Sequence, residues 1–274
     1  MTITADQERQ FYDQLYTPML AWPDQVLLVD PARYFACLDN PADSRYERRR
    51  LFQGTLERVL AQPLAGRTVL DYACGAGEWG VLLATQGARV TLLDLSPAAI
   101  EVCRRRARAN GIEDRVRCLA RSADDLTCFA DGEFDYLVAC GALHHTLKYP
   151  NSLPELARVL KPGGRGFLAE TLGNNRLLNW ARRLRWRLDR EPEEAGEEII
   201  VSDRELAALR QHFRRVEITP LNLLAMAKRL FRGRFHHLSV RALLGALEAL
   251  DAGLLAVAPP LRRYCGEVII VAEK

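Results

Sequence analysis

Between residues 64 and 170, short apolar runs alternate with longer stretches of helical periodicity. Strands are predicted near 67–71, 89–93, 115–119, 134–139 and 164–170, and helices near 78–86, 97–110 and 151–161. Pro97 stands at a first helical position, where its fixed φ suits the helix and its missing N–H breaks no bond. Strand–helix alternation with short connections predicts a parallel sheet with right-handed crossovers. The flanks read differently. Residues 1–62 hold a polar and aromatic segment at Phe11–Tyr16, a loop rich in Pro, Asp and Asn at 30–43, and an amphipathic helix from about Ser44 to Leu60. Ser44 is its expected cap, with Glu47 at the capping-box spacing. Asn174–Arg190 predicts an Arg-rich helix, Glu191–Glu198 a Pro/Glu/Gly loop, and Ser202-Asp203 the start of another helix. About 45 residues, Pro220–Tyr264, carry helical segments at Leu221–Phe231 and Leu238–Ala256. A hairpin needs only a few residues, so insertions of this size are expected to form a substrate lid at the ligand end of the sheet.

The junction of the first strand and first helix carries the chemistry. Val69-Leu-Asp71-Tyr-Ala73-Cys-Gly75-Ala-Gly77-Glu-Trp79-Gly80 runs from an apolar strand through a turn of small residues into a helix. About twenty residues on, Asp94 closes the next apolar run, which is the layout of a nucleotide pocket in a doubly wound sheet. Gly75 and Gly77 let backbone approach a ligand, and Asp94 is placed to accept hydrogen bonds from both ribose hydroxyls. Asp71 changes the picture. A carboxylate there repels a pyrophosphate but suits a ligand bearing an amine or a sulfonium.

These segments resemble class I S-adenosylmethionine-dependent methyltransferases. Asp71-Tyr-Ala-Cys-Gly75-Ala-Gly77 is similar to their first motif, and Asp94 in Leu-Leu-Asp94-Leu95-Ser-Pro to their ribose-binding acid. Gly132-Glu-Phe-Asp135-Tyr-Leu-Val-Ala resembles their fourth strand, Gly141-Ala-Leu-His144-His145 the turn after it, and Leu156–Gly164 the passage into strand five. The five segments keep the family's order over residues 69–170. The resemblance implies a Rossmann-like, doubly wound, seven-stranded mixed sheet, with Phe213–Thr219 and Glu267–Ala272 as strands six and seven. It divides the chain into an N-terminal helical cap, 1–62, and a catalytic domain, 63–274, with helical insertions at about 171–212 and 220–263. The implied cofactor is S-adenosyl-L-methionine. Asp71, Ala73, Gly75 and Gly77 are then expected at its methionine end, Asp94 and Leu95 at the ribose, and Cys140 near its ammonium group. Two departures stand out. Ala73 occupies a place often held by Gly, so the turn must use a backbone angle that tolerates a Cβ. Ser122 stands where the family often has an acid for the adenine amino group, leaving that task to Asp124 in a shifted register or to Ser122 with the Ala123 amide.

Methyl transfer from a sulfonium is an in-line displacement that needs alignment and the exclusion of water, and a base only when the acceptor must lose a proton. His144, His145 and Glu170 are the candidate catalytic residues; for the histidines, a scaffolding role bonded to nearby backbone is the other reading. Tyr12 and Tyr16, four apart on a helix, share a face and either fold over the cofactor as an aromatic lid or serve as an apolar anchor. Trp79 either lines the pocket or packs in the core. The helix at Arg176–Arg190 has Leu177, Ala181, Leu184 and Leu188 on one stripe with arginines elsewhere, read as a solvated face or as a contact for an anionic substrate or membrane surface. His236-His237 is no metal site, because adjacent helical residues diverge and no carboxylates accompany them.

Composition excludes several classes. The 274 residues include 49% hydrophobic and 27% charged positions, those of an ordinary globular protein. A net charge of +3 with no separate recognition domain argues against nucleic acid. Seven cysteines without a C-x-x-C pair point to a reducing, cytoplasmic setting. The N-terminus lacks a signal-peptide pattern, and the apolar stretch Ala242–Leu261 is broken by Glu248, Asp251 and two prolines, so no membrane span is expected. The expected function is methyl transfer to a small-molecule acceptor at N, O or C in a biosynthetic pathway, with oligomeric state left open. The alternative is an enzyme that consumes S-adenosylmethionine without transferring methyl and releases methylthioadenosine.

Overall fold

Seven apolar runs become one sheet in the computed structural model, which describes residues 4–189 and 199–274. The strands are β1 (Thr68–Tyr72), β2 (Arg89–Asp94), β3 (Val116–Ala120), β4 (Phe134–Cys140), β5 (Leu160–Thr171), β6 (Arg215–Leu221) and β7 (Glu267–Glu273). Their order is β3-β2-β1-β4-β5-β7-β6, parallel throughout except for β7, which runs antiparallel to both neighbours. The expected mixed, doubly wound architecture is therefore present. The chain winds outward from β1 to β3 and returns on the other side of β1 as β4. That reversal opens a crevice at the carboxyl ends of β1 and β4, where ligands bind in open α/β sheets.

The helices are α1 (Ala5–Tyr16), α2 (Asp24–Leu27), α3 (Pro31–Asp39), α4 (Arg49–Leu60), α5 (Glu78–Thr85), α6 (Pro97–Ala109), α7 (Leu143–Thr146), α8 (Ser152–Val159), α9 (Arg176–Asp189), α10 (Asp203–His212) and α11 (Leu238–Val257). Successive strand side chains point to opposite faces, so each central strand feeds two cores. Val69, Leu92, Val138 and Phe167 pack with α4–α6, while Leu70, Leu93, Leu137 and Leu168 pack with α8 and α10. The same alternation puts Asp71 on the α5 side and Glu170 on the α7–α8 side.

Four local expectations are corrected. The loop read at 30–43 is largely α3, because Asp30 accepts from the Arg33 amide at 2.9 Å, Pro31 starts the helix, and Tyr34 and Leu38 are buried one turn apart. The segment after it is capped by Asp43 rather than Ser44. A 3-10 turn, Ser44–Arg48, precedes α4, and Glu47 is buried in ion pairs with Arg229 and Arg232 instead of closing a capping box. β5 begins at Leu160, so Pro162-Gly163 lies within the strand beside a register shift opposite Phe134 and Tyr136. Leu221 ends β6, and the helical segment after it is a 3-10 helix, Leu224–Phe231. The capping box at Ser202 and Glu205 holds as read. The loop read at 191–198 lies outside the described residues, as do the side chains of Leu184 and Leu188. Among the described residues, no helix is long and apolar enough to cross a membrane.

Candidate active site

A cavity of about 360 Å³ opens at the crevice between β1 and β4, within the roughly 300–1,000 Å³ of small-molecule sites. Asp71, at the end of β1, is buried, and its Oδ2 accepts the Gly80 amide of α5 at 2.8 Å. Burial pushes its carboxyl up to about 7; the Gly80 amide opposes this and Asp94 adds to it. Asp71 thus both holds the first turn of α5 and lines the cavity. The turn beyond it is left-handed at Ala73, with φ +50°. The expected Cβ-tolerant angle is not what the chain uses: Ala73 sits where an L-residue is strained by about 1–2 kcal/mol. Gly75 lines the cavity, and a β-carbon there would stand 2.5 Å from Tyr16 Oη. Gly77 does not line it. A β-carbon on Gly77 would stand 2.7 Å from Cys103 Sγ, so this glycine serves close packing of the turn on α6 rather than ligand approach.

Asp94, buried at the tip of β2, accepts the Gly75 amide at 2.7 Å through Oδ2 and the Ser96 amide at 2.9 Å through Oδ1. Burial raises its pKa against these two bonds. Each carboxylate oxygen retains a second lone pair, and Asp94 lines the cavity beside Leu95. Ser122 and Ala123 line its far side, the Ala123 carbonyl being fixed by Tyr72 Oη at 2.7 Å. Asp124 is bonded to the Ser122 hydroxyl and is not among the lining residues. The shifted-register role for Asp124 therefore has no support in this geometry.

Helix α1 forms the roof. Tyr12 and Tyr16 both line the cavity, with ring centroids 6.4 Å apart in a stacked arrangement. Burial, and then Asp94, push the Tyr16 phenol well above its ordinary pKa. Two bridges hold α1 across the crevice. Asp13 accepts the Ala98 amide at 3.1 Å and the Ser96 hydroxyl at the start of α6, and Glu8 pairs with Lys148 beyond α7 at 2.7 Å.

The candidate catalytic residues separate after β4. Cys140 and His145 line the cavity, and His145 Nε2 lies 3.5 Å from Tyr12 Oη. His144 and Glu170 are not lining residues. Glu170 is fully buried; its Oε1 accepts the Ala142 and Leu143 amides at 3.0 and 2.7 Å, and its Oε2 lies 2.7 Å from His144 Nδ1. Burial alone would raise the Glu170 pKa, but His144, the Leu143 amide and Arg48 hold it below the usual carboxylate value. Glu170 is a buried clamp on α7, not the pocket-facing acid expected from its place in β5.

Sequence reasoning missed several lining residues. Tyr34, Arg45 and Phe52 come from the segment before β1, and Tyr149 follows α7. Tyr34 Oη accepts Trp79 Nε1–H at 2.7 Å, so Trp79 packs in the core and meets the cavity too. The signal available was the aromatic and basic content of 34–52, which only α3 and α4 together bring to the crevice. Among the described residues no cluster of His, Cys, Asp or Glu could hold a metal, and His236 and His237 join none.

Known proteins share this plan. Residues 69–164 match the family described as Methyltransferase domain. A demethylmenaquinone methyltransferase of Clavibacter sepedonicus is 40% identical over 44% of this chain and 47% of its own. A ubiquinone biosynthesis O-methyltransferase of Xanthomonas oryzae pv. oryzae is 38% identical over 39% of this chain and 44% of its own. The matched segment thus spans less than half the length of these curated relatives. In overall structure the chain is similar to the 4+2 cyclase SpnF, with TM-score 0.60 and 22% identity over 100% of this chain and 97% of that one. It is also similar to geranyl diphosphate C-methyltransferase from Streptomyces coelicolor A3(2), with TM-score 0.59 and 19% identity over 97% of each chain. Motif order, strand order and the match over residues 69–164 agree: this segment is similar to the methyltransferase domain, and it lies on the seven-stranded sheet seen in the similar solved structures.

Proposed function

We propose that this chain transfers the methyl group of S-adenosyl-L-methionine to a small-molecule acceptor in a biosynthetic pathway. The observation that carries the reading is one cavity lined at once by Asp71, Gly75, Asp94, Ser122 and Ala123 beneath Tyr12 and Tyr16. In this reading Asp71 meets the ammonium end of the donor, Asp94 the ribose hydroxyls, and Ser122 with Ala123 the adenine. The two tyrosines face the sulfonium, where aromatic faces favour positive charge. As the acceptor attacks, its bond to the methyl carbon forms while the carbon–sulfur bond breaks and its electron pair returns to sulfur. The chain supplies alignment and a dry site. His145 is the base for an acceptor that must lose a proton, because it alone of the three candidates faces the cavity. Residues 1–62 act as cap and the insertions near 171–212 and 220–263 as lid. The reading goes with a cytoplasmic setting, with peripheral membrane contact open to the Arg-rich α9.

Chromatography of the spent nucleoside tests the reaction class. Incubation with S-adenosylmethionine and a panel of phenolic, quinol, amine and isoprenoid acceptors should yield S-adenosylhomocysteine in step with a methylated product. Methylthioadenosine instead would favour consumption of the donor without methyl transfer. A bound but unconsumed donor would contradict both.

A further inference from the structure

Helix α11 is apolar on the side it buries and apolar again on the side it shows to solvent. Inward, Val240, Leu244 and Leu247 pack with Tyr46 and Phe235. Two of its three charged residues also turn to the protein. Asp251 is buried and accepts the Leu223, Leu224 and Ala225 amides at 2.7–3.1 Å, and Glu248 pairs with Arg49 of α4 at 2.7 Å. The opposite face carries Leu243, Leu250 and Val257, seven residues apart and 45%, 58% and 81% exposed. Ala246 and Gly253 lie between them and are exposed too. Leu230, in the preceding 3-10 helix, and Leu238, at the first position of α11, are exposed as well. A solvated helix face normally carries charged or polar side chains. From Ala242 to Val257 the outer face of α11 carries none, over about four turns.

The charges that border this face are basic at both ends. Arg234 precedes the helix, Arg241 lies in its first turn, and Arg262 follows it, with Nε donating to the Leu255 carbonyl at 3.2 Å. Among the described residues none of these three forms an ion pair. The nearby acids are already engaged, Glu47 with Arg229 and Arg232, and Asp203 with Arg263. A second copy packed about a twofold axis would set arginine against arginine, whether the two helices ran parallel or antiparallel. An anionic bilayer suits both features. Apolar side chains enter the boundary between headgroups and acyl chains, and arginines meet the lipid phosphates. We propose that the outer face of α11 docks this protein on an anionic lipid bilayer, the helix lying in the plane of the interface. This goes beyond the contact left open for α9, and it holds whatever reaction the cavity supports.

Co-sedimentation of the full chain with vesicles tests the proposal. Binding is expected to phosphatidylcholine vesicles that contain about one-third phosphatidylglycerol. It should be weaker on phosphatidylcholine alone and at high salt. Leu250→Ser should weaken it about tenfold, the loss of one leucine from the apolar boundary, and Arg241→Gln about fivefold. Val257→Ser repeats the first substitution one heptad on, and both serine variants should keep the wild-type melting temperature because their side chains are exposed. Val26→Ser, at an exposed position on α2, should bind vesicles as the wild type does. Sedimentation velocity without lipid addresses a second copy, and Leu250→Glu should leave the oligomeric state unchanged. A dimer that Leu250→Glu dissociates would overturn the proposal in favour of self-association. So would absence of vesicle binding, equal binding to neutral and anionic vesicles, or undiminished binding by folded Leu250→Ser and Val257→Ser proteins.

Discussion

Asp71 links proton and ligand at the residue scale. Burial pushes its carboxyl from 3.8 up to about 7 in the folded chain, so the neutral form competes with the ionised one near neutral pH. A ligand with an ammonium group selects the ionised form. Affinity for S-adenosylhomocysteine should therefore rise between about pH 5.5 and 7.5, approaching tenfold per unit at the acid end, and level off above. Asp71→Asn should flatten the profile; a flat wild-type profile would detach Asp71 from the ligand. The same shift acts on stability with a fixed sign. Because the folded pKa is the higher one, this group's contribution is fully present below about pH 4 and is lost as pH rises through about 7. The histidines divide in a second prediction. Glu170→Gln should lower stability by about 1–3 kcal/mol by breaking a buried clamp, read as a fall in melting temperature. His145→Ala should keep its melting temperature and cofactor affinity but lose about 10²–10⁴ in rate if the acceptor must be deprotonated, with the loss shrinking at high pH. Equal melting losses in both variants would make His145 scaffold too. The acids were legible because each closes an apolar run. Which imidazole faces the cavity was not, since neighbouring residues on one helical turn diverge by about 100° and the sequence does not fix the turn's rotation.

At the scale of elements, α1 is a strap tied at both ends, by Asp13 to the start of α6 and by Glu8 to Lys148. Tyr12 and Tyr16 place α1 over the cavity, and ligand entry is expected to displace it. Lys148→Met should therefore speed both association and dissociation of S-adenosylhomocysteine in stopped flow, and bound ligand should slow proteolysis near the N-terminus. Unchanged rates would mean that α1 is a fixed wall. The tyrosine spacing made a shared face readable from sequence, but the anchors were not, because Asp13–Ala98 and Glu8–Lys148 join residues far apart in the chain. Local chemistry erred for a related reason at 30–43. Pro, Asp and Asn read as loop, yet Asp30 and Pro31 there start a helix whose Tyr34 and Leu38 find a core only when α4 and α5 are in place.

For the molecule as a whole, strand order and crevice followed from the alternation at 64–170, since right-handed crossovers leave few topologies. The inward turn of Arg182 was hidden, because the Leu172 and Gly266 carbonyls that receive its guanidinium lie outside α9 and meet it only in the fold. The central claim is that the crevice is a donor site closed by Asp94. Calorimetry of S-adenosylhomocysteine against the wild type and Asp94→Asn tests it most directly, the amide keeping the side chain's size and one acceptor oxygen for the Gly75 and Ser96 amides where alanine keeps neither. The account predicts one site per chain, a loss of about 1–3 kcal/mol of binding in the variant, a smaller fall in melting temperature than in Asp94→Ala, and no comparable affinity for a nicotinamide dinucleotide. Absence of binding to the wild type, or equal affinity in Asp94→Asn, would contradict it.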